Sequence, residues 1–245
     1  ADNLYSQYEM TPEYRYFGNS FLSSVQQVFP DAPVTLLREH YRCEPRIIGF
    51  CNQRFYHNQL IPMTKRSEQP SLAVIRTVKG NHAVGTINER QAEEAVQEII
   101  KLKEQYDSIG VIVPYNEQAK LISKLLEENK INEIPVSTVH KFQGREEDAI
   151  ILCTVDNTIR EFVDDPHLLN VAVSRAKKHF SIIVNGNEMA DNNIQALVRY
   201  IENCEGVVKE GAIKSVFDIL YKQYTEERMA FVAKQINVSE YISEN

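Results

Sequence analysis

The chain reads as an α/β protein: a doubly wound, mostly parallel sheet covered by helices on both faces. Three observations predict it. Short apolar runs such as Ile109–Val113 and Phe180–Val184 recur along the chain, too short for helices and suited to buried strands. Amphipathic stretches with helical spacing lie between them, an alternation that parallel crossovers require. No run approaches the roughly 20 apolar residues of a membrane span.

Composition fits that class. The 245 residues allow one large domain, or one with a smaller appendage. With 43% hydrophobic and 25% charged residues the chain is an ordinary packed globule, which excludes a disordered or fibrous protein. The first ten residues have neither the basic start nor the apolar core of a signal peptide, so a cytoplasmic location is expected. Cys43, Cys51, Cys153 and Cys204 form no Cys-x-x-Cys pair and no zinc-like cluster; buried reduced thiols and no metal site are expected. A net charge of −7 argues against bulk attraction to nucleic acid and predicts weak binding, while leaving room for a local basic groove.

Taken in order, the spacing predicts a helix near Ser20 to Phe29, a short apolar segment Val34 to Leu37, and a helix over Pro45 to Tyr56. Leu72 to Val78 alternates as a strand. Glu89 to Tyr106 is the clearest helix, with Ala92, Val96 and Ile99 on one stripe and Thr86 to Glu89 as a capping box. Strand Ile109–Val113 is stopped by Pro114, and a helix follows over Glu117 to Asn129. Pro135–Val139, Ala149–Val155 and Phe180–Val184 are further buried strands. Asp165 as N-cap and Pro166 at the first helical position start a helix expected to run to Lys178. Composition shifts after Gly186: Gln195–Glu202 and Ala212–Gln235 read as helices, and no strand signal follows. The expected division is a domain over 1–187 and a C-terminal helical appendage or linker over 188–245.

The glycine spacing Gly80 to Gly85 has the form of a phosphate-binding loop, but Thr86 stands where its lysine belongs, and a turn is the better reading. No Gly-x-Gly exists for a dinucleotide. Three other stretches are more informative: LLREHYRCEPRIIGFCNQRFYHNQL (36–60), STVHKFQGREEDAIIL (137–152) and LNVAVSRAKKHFSIIVNG (169–186). Their residue types suit phosphate chemistry. Arg175 in SRAKK and Arg42 in HYRC carry planar guanidinium forks that match phosphate oxygens. Gly144 allows a backbone N–H to approach closely. Thr138 and His140, at a strand end, offer donors suited to backbone phosphates.

In this order the three stretches resemble motifs IV, V and VI of superfamily one helicases, in the branch that includes the nonsense-decay helicase. IGVIVPYNEQ (109–118) matches the segment that branch places between IV and V, and the likeness spans about Asn19 to Asn187. The resemblance implies a RecA-like domain whose three motifs assemble at one edge of the sheet. It implies Arg175 as arginine finger and Arg42 as a second arginine reaching the γ-phosphate. Tyr41 would stack on adenine, Gln143 and Gly144 would flank the phosphates, and Glu146 would bond the ribose. Thr138, His140 and the turn Pro114-Tyr115-Asn116 would contact the single strand.

Plainer readings stand beside these. Glu146-Glu147-Asp148 is also a charged turn, Thr138 a cap, His140 a loop contact, and Lys177-Lys178-His179 a solvated helix end. Glu44-Pro45-Arg46 departs from the small or basic pair usual around that proline and puts an anion near Arg42. Walker A, the Walker B acidic pair and motif III have no match. ATP with Mg2+ is therefore expected to be held mainly by an N-terminal RecA-like domain of the same protein, and this chain alone is expected to be inactive. The implied function is the C-terminal motor domain of an ATP-dependent helicase or translocase, acting on single-stranded nucleic acid, with DNA expected rather than RNA, and with no membrane partner. The alternative is a non-catalytic helicase-like module that binds nucleic acid or protein.

Overall fold

The computed structural model describes residues 8, 11–15 and 17–214. Contacts divide the chain into two compact units, Ala1–Arg38 and Glu39–Asn245. In the first, Pro12–Tyr14 form a 3-10 turn and Phe21–Val28 form helix α1. Ser20 starts α1 because its hydroxyl accepts from the Ser23 amide. Val34–Leu37 takes no regular structure.

The second unit is built on six strands: β1 (Leu72–Arg76), β2 (Ile109–Val113), β3 (Val136–Thr138), β4 (Glu147–Cys153), β5 (Ala176–Val184) and β6 (Val207–Glu210). They pair in the order β6-β1-β5-β4-β2-β3, every pair parallel. Helices α2 (Pro45–Phe55), α3 (Glu89–Leu102), α4 (Asn116–Glu128), α5 (Pro166–Val173) and α6 (Asn193–Asn203) cover both faces. Strand side chains alternate between two cores. Ile150, Leu152, Phe180 and Ile182 pack with α2, α5 and α6. Ala149, Ile151, Cys153 and Ile183 pack with α3 and α4. This is the RecA-like doubly wound arrangement, and burial on both faces is why its strands read as continuous apolar runs.

Four details differ from the sequence reading. Asp165 caps α5 and Pro166 begins it, but the helix stops at Val173 and β5 already begins at Ala176. Lys177, Lys178 and His179 are therefore strand: the Glu44 amide bonds the Lys177 carbonyl and Ala149 pairs with His179, so ladder pairing overrides helix propensity. Helix α3 is capped by Asn88, whose side chain accepts from the Gln91 amide, while the Thr86 hydroxyl turns to Glu117. Beyond Gly186, α6 buries Ile194, Leu197, Val198 and Ile201 in the sheet's core, and β6 pairs with β1. The stretch set apart as an appendage thus begins inside the sheet domain. The helix expected over Ala212–Gln235 falls, from residue 215 onward, outside the described residues.

Cys43, Cys51 and Cys153 are free and buried, and burial pushes the Cys43 and Cys153 thiols up to about 12. Among the described residues no helix is long and apolar enough to cross a membrane.

Edge strand β6 is tied in by charge. Glu98 of α3, 1% exposed, accepts from Lys209 Nζ at 2.8 and 2.7 Å and from the Ser181 hydroxyl at 3.3 Å. His179 lies on the same face, its Nε2 2.9 Å from Ser181 Oγ and its ring stacked on Tyr106. Burial outweighs the nearby Glu98 carboxylate and lowers the His179 pKa to about 4. An unfolded chain takes up that proton below about 6.5, so between about 6.5 and about 4 the unfolded state binds more protons and stability falls as pH drops. Each unit of that window is worth about 1.4 kcal/mol at most. Urea unfolding from pH 7.5 to 4.5 should show this loss, and His179→Asn should flatten it. Parallel profiles for the two proteins would contradict the assignment.

Candidate functional site

Because all six strands run the same way, every loop belongs to one of two ends of the sheet. At the N-terminal end, Glu146 immediately precedes β4 and Arg175 immediately precedes β5. The Glu147 amide donates to the Arg175 carbonyl at 3.1 Å, which locks the two loops side by side. The loop before α2 joins them through the Glu44 amide and the Lys177 carbonyl, 2.8 Å apart. Arg42 then reaches across: its Nε is 2.5 Å from Glu146 Oε2 and its Nη1 3.4 Å from the Ser174 carbonyl. The Arg175 guanidinium is itself braced, Nε donating to the Val171 carbonyl and Nη1 to the Arg145 carbonyl.

Arg42, Arg175 and Glu146 therefore share one surface. Partial burial, and then the neighbouring Arg42 charge, lower the Arg175 pKa. Two guanidinium groups so close repel, and Glu146 offsets one of them; an added polyanion would satisfy both. Tyr41 stands beside them, 67% exposed, with its hydroxyl donating to Glu39. His40 faces inward. Its Nε2 accepts from the Cys43 amide, and burial followed by the Arg42 charge lowers its pKa. An open cleft is lined by Glu39, His40, Tyr41, Arg42, Glu146 and Lys177.

Glu44 does not perturb this surface. Only 4% exposed, it caps α2, and its carboxylate accepts from the Arg46 amide, Arg46 Nε, the Ser67 amide and the Ser71 hydroxyl. Nor is 146–148 a simple solvated turn: Asp148 is 7% exposed and accepts from Lys178 Nζ at 2.9 Å, which raises the Lys178 pKa.

The expected strand contacts lie at the opposite end. Pro114 follows β2, Thr138 ends β3, and Val113 and Thr138 are register partners. Arg42, Glu146 and Arg175 thus bring all three motifs to the first end, and only Thr138 and His140 of motif V lie at the second. Strand β4, seven residues long, puts roughly 20 Å between the two ends. Motif V spans both: Val139–Phe142 forms a 3-10 turn that leads back beneath the sheet, with Phe142 fully buried against Gly110, where a Cβ would collide with its ring. Gln143 and Gly144 are exposed beyond that turn, on the way to Glu146. Gly144 has φ +83, and a side chain there would meet no atom of the described residues within 4 Å, so the left-handed backbone is what demands glycine inside the protein itself.

At this second end Thr138 is half-buried and His140 exposed. Thr138 stands at the N-cap position without a side-chain cap bond, so capping does not occupy its hydroxyl. Asn116 is exposed and its Oδ1 accepts from Lys141 Nζ at 3.3 Å. Tyr115 is more constrained: its hydroxyl donates to Asp156 at 3.2 Å, and the Arg160 guanidinium lies 4.8 Å over its ring. Asp156 and Arg160 escaped the sequence reading, because i, i+4 spacing signals an ion pair on a helix and this segment is not helical. Asp156 follows Val155, a β-branched residue at φ +68. That uncommon backbone is fixed from both sides: Gln91 Oε1 accepts the Val155 amide, and Asn88 Nδ2 donates to its carbonyl.

The family model described as an AAA domain, AAA_12, matches residues 17–187. This chain belongs to that family and is a superfamily one helicase C-terminal domain. An uncharacterized ATP-dependent helicase of Methanocaldococcus jannaschii is 27% identical over 197 residues, covering 70% of this chain and 30% of that protein. The 5'-3' DNA helicase ZGRF1 of Mus musculus is 28% identical over 217 residues, 79% of this chain and 11% of its own length. The DNA polymerase alpha-associated DNA helicase A of Schizosaccharomyces pombe is 44% identical over 82 residues, 32% and 12% respectively. The chain thus spans less than a third of the length of these relatives.

The account of Glu44 is testable. Glu44→Ala removes the carboxylate partner of Arg46, whose side chain is 15% exposed and keeps only the Ser67 and Gln69 carbonyls, and it uncaps α2. It should cost about 3 kcal/mol in urea unfolding. A loss under about 1 kcal/mol would mean that Glu44 is not the local hub.

Proposed function

We propose that this helicase-family domain is the C-terminal motor half of an ATP-dependent helicase or translocase, and that it supplies the arginine finger and part of the single-strand channel. The observation that carries the reading is the meeting of Arg42, Arg175, Glu146 and Tyr41 at the N-terminal ends of β4 and β5. Each suits one part of ATP. The exposed Tyr41 ring offers a stacking face for adenine, Glu146 an acceptor for a ribose hydroxyl, and Gly144 a backbone without a side chain near the phosphates. Arg175, braced by two carbonyls, keeps its fork where negative charge is redistributed in the transition state. Arg42 is the second fork, and it must exchange Glu146 for phosphate to act. ATP supplies the phosphoanhydride whose cleavage drives the cycle.

Among the described residues no group of three His, Cys, Asp or Glu side chains is placed to hold a metal. The metal carboxylates and the phosphate loop belong, in this reading, to an N-terminal RecA-like domain of the same protein. Pro114, Tyr115, Asn116, Thr138 and His140 then grip the strand at the far end of the sheet. DNA is the preferred substrate, because two of the relatives above are named as DNA helicases.

Steady-state kinetics on the full-length protein test the reading. Arg175→Ala should lower kcat on the order of 10³ to 10⁵-fold, roughly 4 to 7 kcal/mol, with little change in KM. Arg175→Lys should rescue little, because an ammonium lacks the planar fork. Tyr41→Ala should mainly raise KM, since stacking is equal in ground and transition states. A kcat within about tenfold of the parent after Arg175→Ala would refute the finger role.

A further inference from the structure

We propose that the groove between α4 and β3 is a second segment of the strand path, in which Lys120 and Lys124 bind the sugar-phosphate backbone beyond Asn116 and Thr138. The proposal rests on the strand-contact reading above. The groove is open and about 620 Å³ in volume, and Asn116, Ser123, Ser137 and Lys141 help to line it. Three features favour a nucleic-acid backbone as its occupant.

The first is continuity. Asn116 belongs both to the strand-contact turn and to the groove wall, and Lys141 bridges the two through its bond to Asn116. Strand β3 is the edge of the sheet among the described residues, and none of their strands closes the groove on that side. The second is spacing. Lys120 and Lys124 are four residues apart on α4, on one face and about 6 Å apart along its axis. Both are exposed. Among the described residues Lys120 makes no ion pair, and Lys124 meets only Glu128 at 3.6 Å, a solvent-exposed pair that binds weakly. The third is chemistry. The lining offers ammonium and hydroxyl donors and no aromatic ring, which suits phosphate contacts and gives no platform for bases. Glu117 and Glu127 also line the groove and weaken its field, and Glu117 accepts from Thr86 at 3.4 Å. Counting Glu128 beside Lys124, the acids and lysines around the groove balance, so the placement of Lys120 and Lys124, rather than a net field, is what suits phosphates.

The test uses this chain, fluorescence anisotropy and two labelled oligothymidylates, a 6-mer and a 16-mer (lengths about those of single-strand site sizes), over a salt series. The double variant Lys120→Ala/Lys124→Ala should leave the 6-mer unchanged and weaken the 16-mer several-fold at low salt. Its salt slope for the 16-mer should fall by about 1.4, since each single-strand phosphate contact contributes about 0.7. Unchanged 16-mer affinity and slope would overturn the proposal and leave the groove to another acidic partner, such as a carboxylate-rich peptide. Equal losses on both lengths would also overturn it, because the lysines would then act on the primary contact. The underlying reading fails separately: no binding of the 16-mer by the unmodified chain, or no effect of Thr138→Ala/Asn116→Ala on either length, would remove it.

Discussion

The parallel pairing of β4 with β5 is the constraint on which the candidate nucleotide site depends. Its first link is the hydrogen bond from the Glu147 amide to the Arg175 carbonyl, and its register places Glu147 opposite Ala176. Glu146 and Arg175 are each one residue outside that ladder, so their positions follow from strand pairing rather than from loop flexibility. Arg42 is added by the bond between the Glu44 amide and the Lys177 carbonyl. Glu44 then holds the turn with Arg46, Ser67 and Ser71. Beyond a register shift between Glu147 and Ala149, Ile150, Ile151, Phe180 and Ile182, all fully buried, fix the pairing from both faces. A slip of one residue would turn those side chains to the wrong cores and carry both arginine loops with it.

A parallel sheet also separates tasks. Residues that precede strands collect at one end and residues that follow them at the other. In the proposed reading, nucleotide chemistry occupies the first end and strand contact the second. The 3-10 turn Val139–Phe142 connects them within a single motif, and Phe142 wedged against Gly110 makes that link part of the core. At the strand end, Val155 in a left-handed backbone and the Asp156–Arg160 pair hold Tyr115 firmly. A phosphate contact there falls more naturally to Thr138, Asn116 and their neighbours than to the Tyr115 hydroxyl, which Asp156 already occupies.

Much of this was legible in the residues. Ile109–Val113 reads as a buried strand because both of its faces are covered, and Asp165-Pro166 reads as a helix start because a side-chain acceptor and a fixed φ belong there. The motifs singled out Arg42, Arg175, Tyr41 and Glu146, and the structure brings these four to one surface. Other features depend on contacts distant in sequence. Lys177-Lys178-His179 has no apolar alternation, and only pairing with β4 makes it strand. Val207–Glu210 is short, exposed and charged, and its place in the sheet rests on β1 and on the Lys209–Glu98 pair. Glu44 looked like an intruding anion because nothing local announces Ser67 and Ser71 as its partners. The two-ended layout of motif V was hidden for the same reason: spacing along the chain does not say which way a connecting turn crosses a sheet.

The division of labour between the two ends is the centre of this account, and photocrosslinking on the full-length protein tests it most directly. An azido-adenine nucleotide and a thiothymidine oligonucleotide would each be crosslinked, and the modified peptides mapped by mass spectrometry. The nucleotide should mark the segments around Tyr41 and Glu146, and the oligonucleotide those around Pro114–Asn116 and Thr138–His140. Both probes attached to the same end of the sheet, or exchanged between the ends, would contradict it.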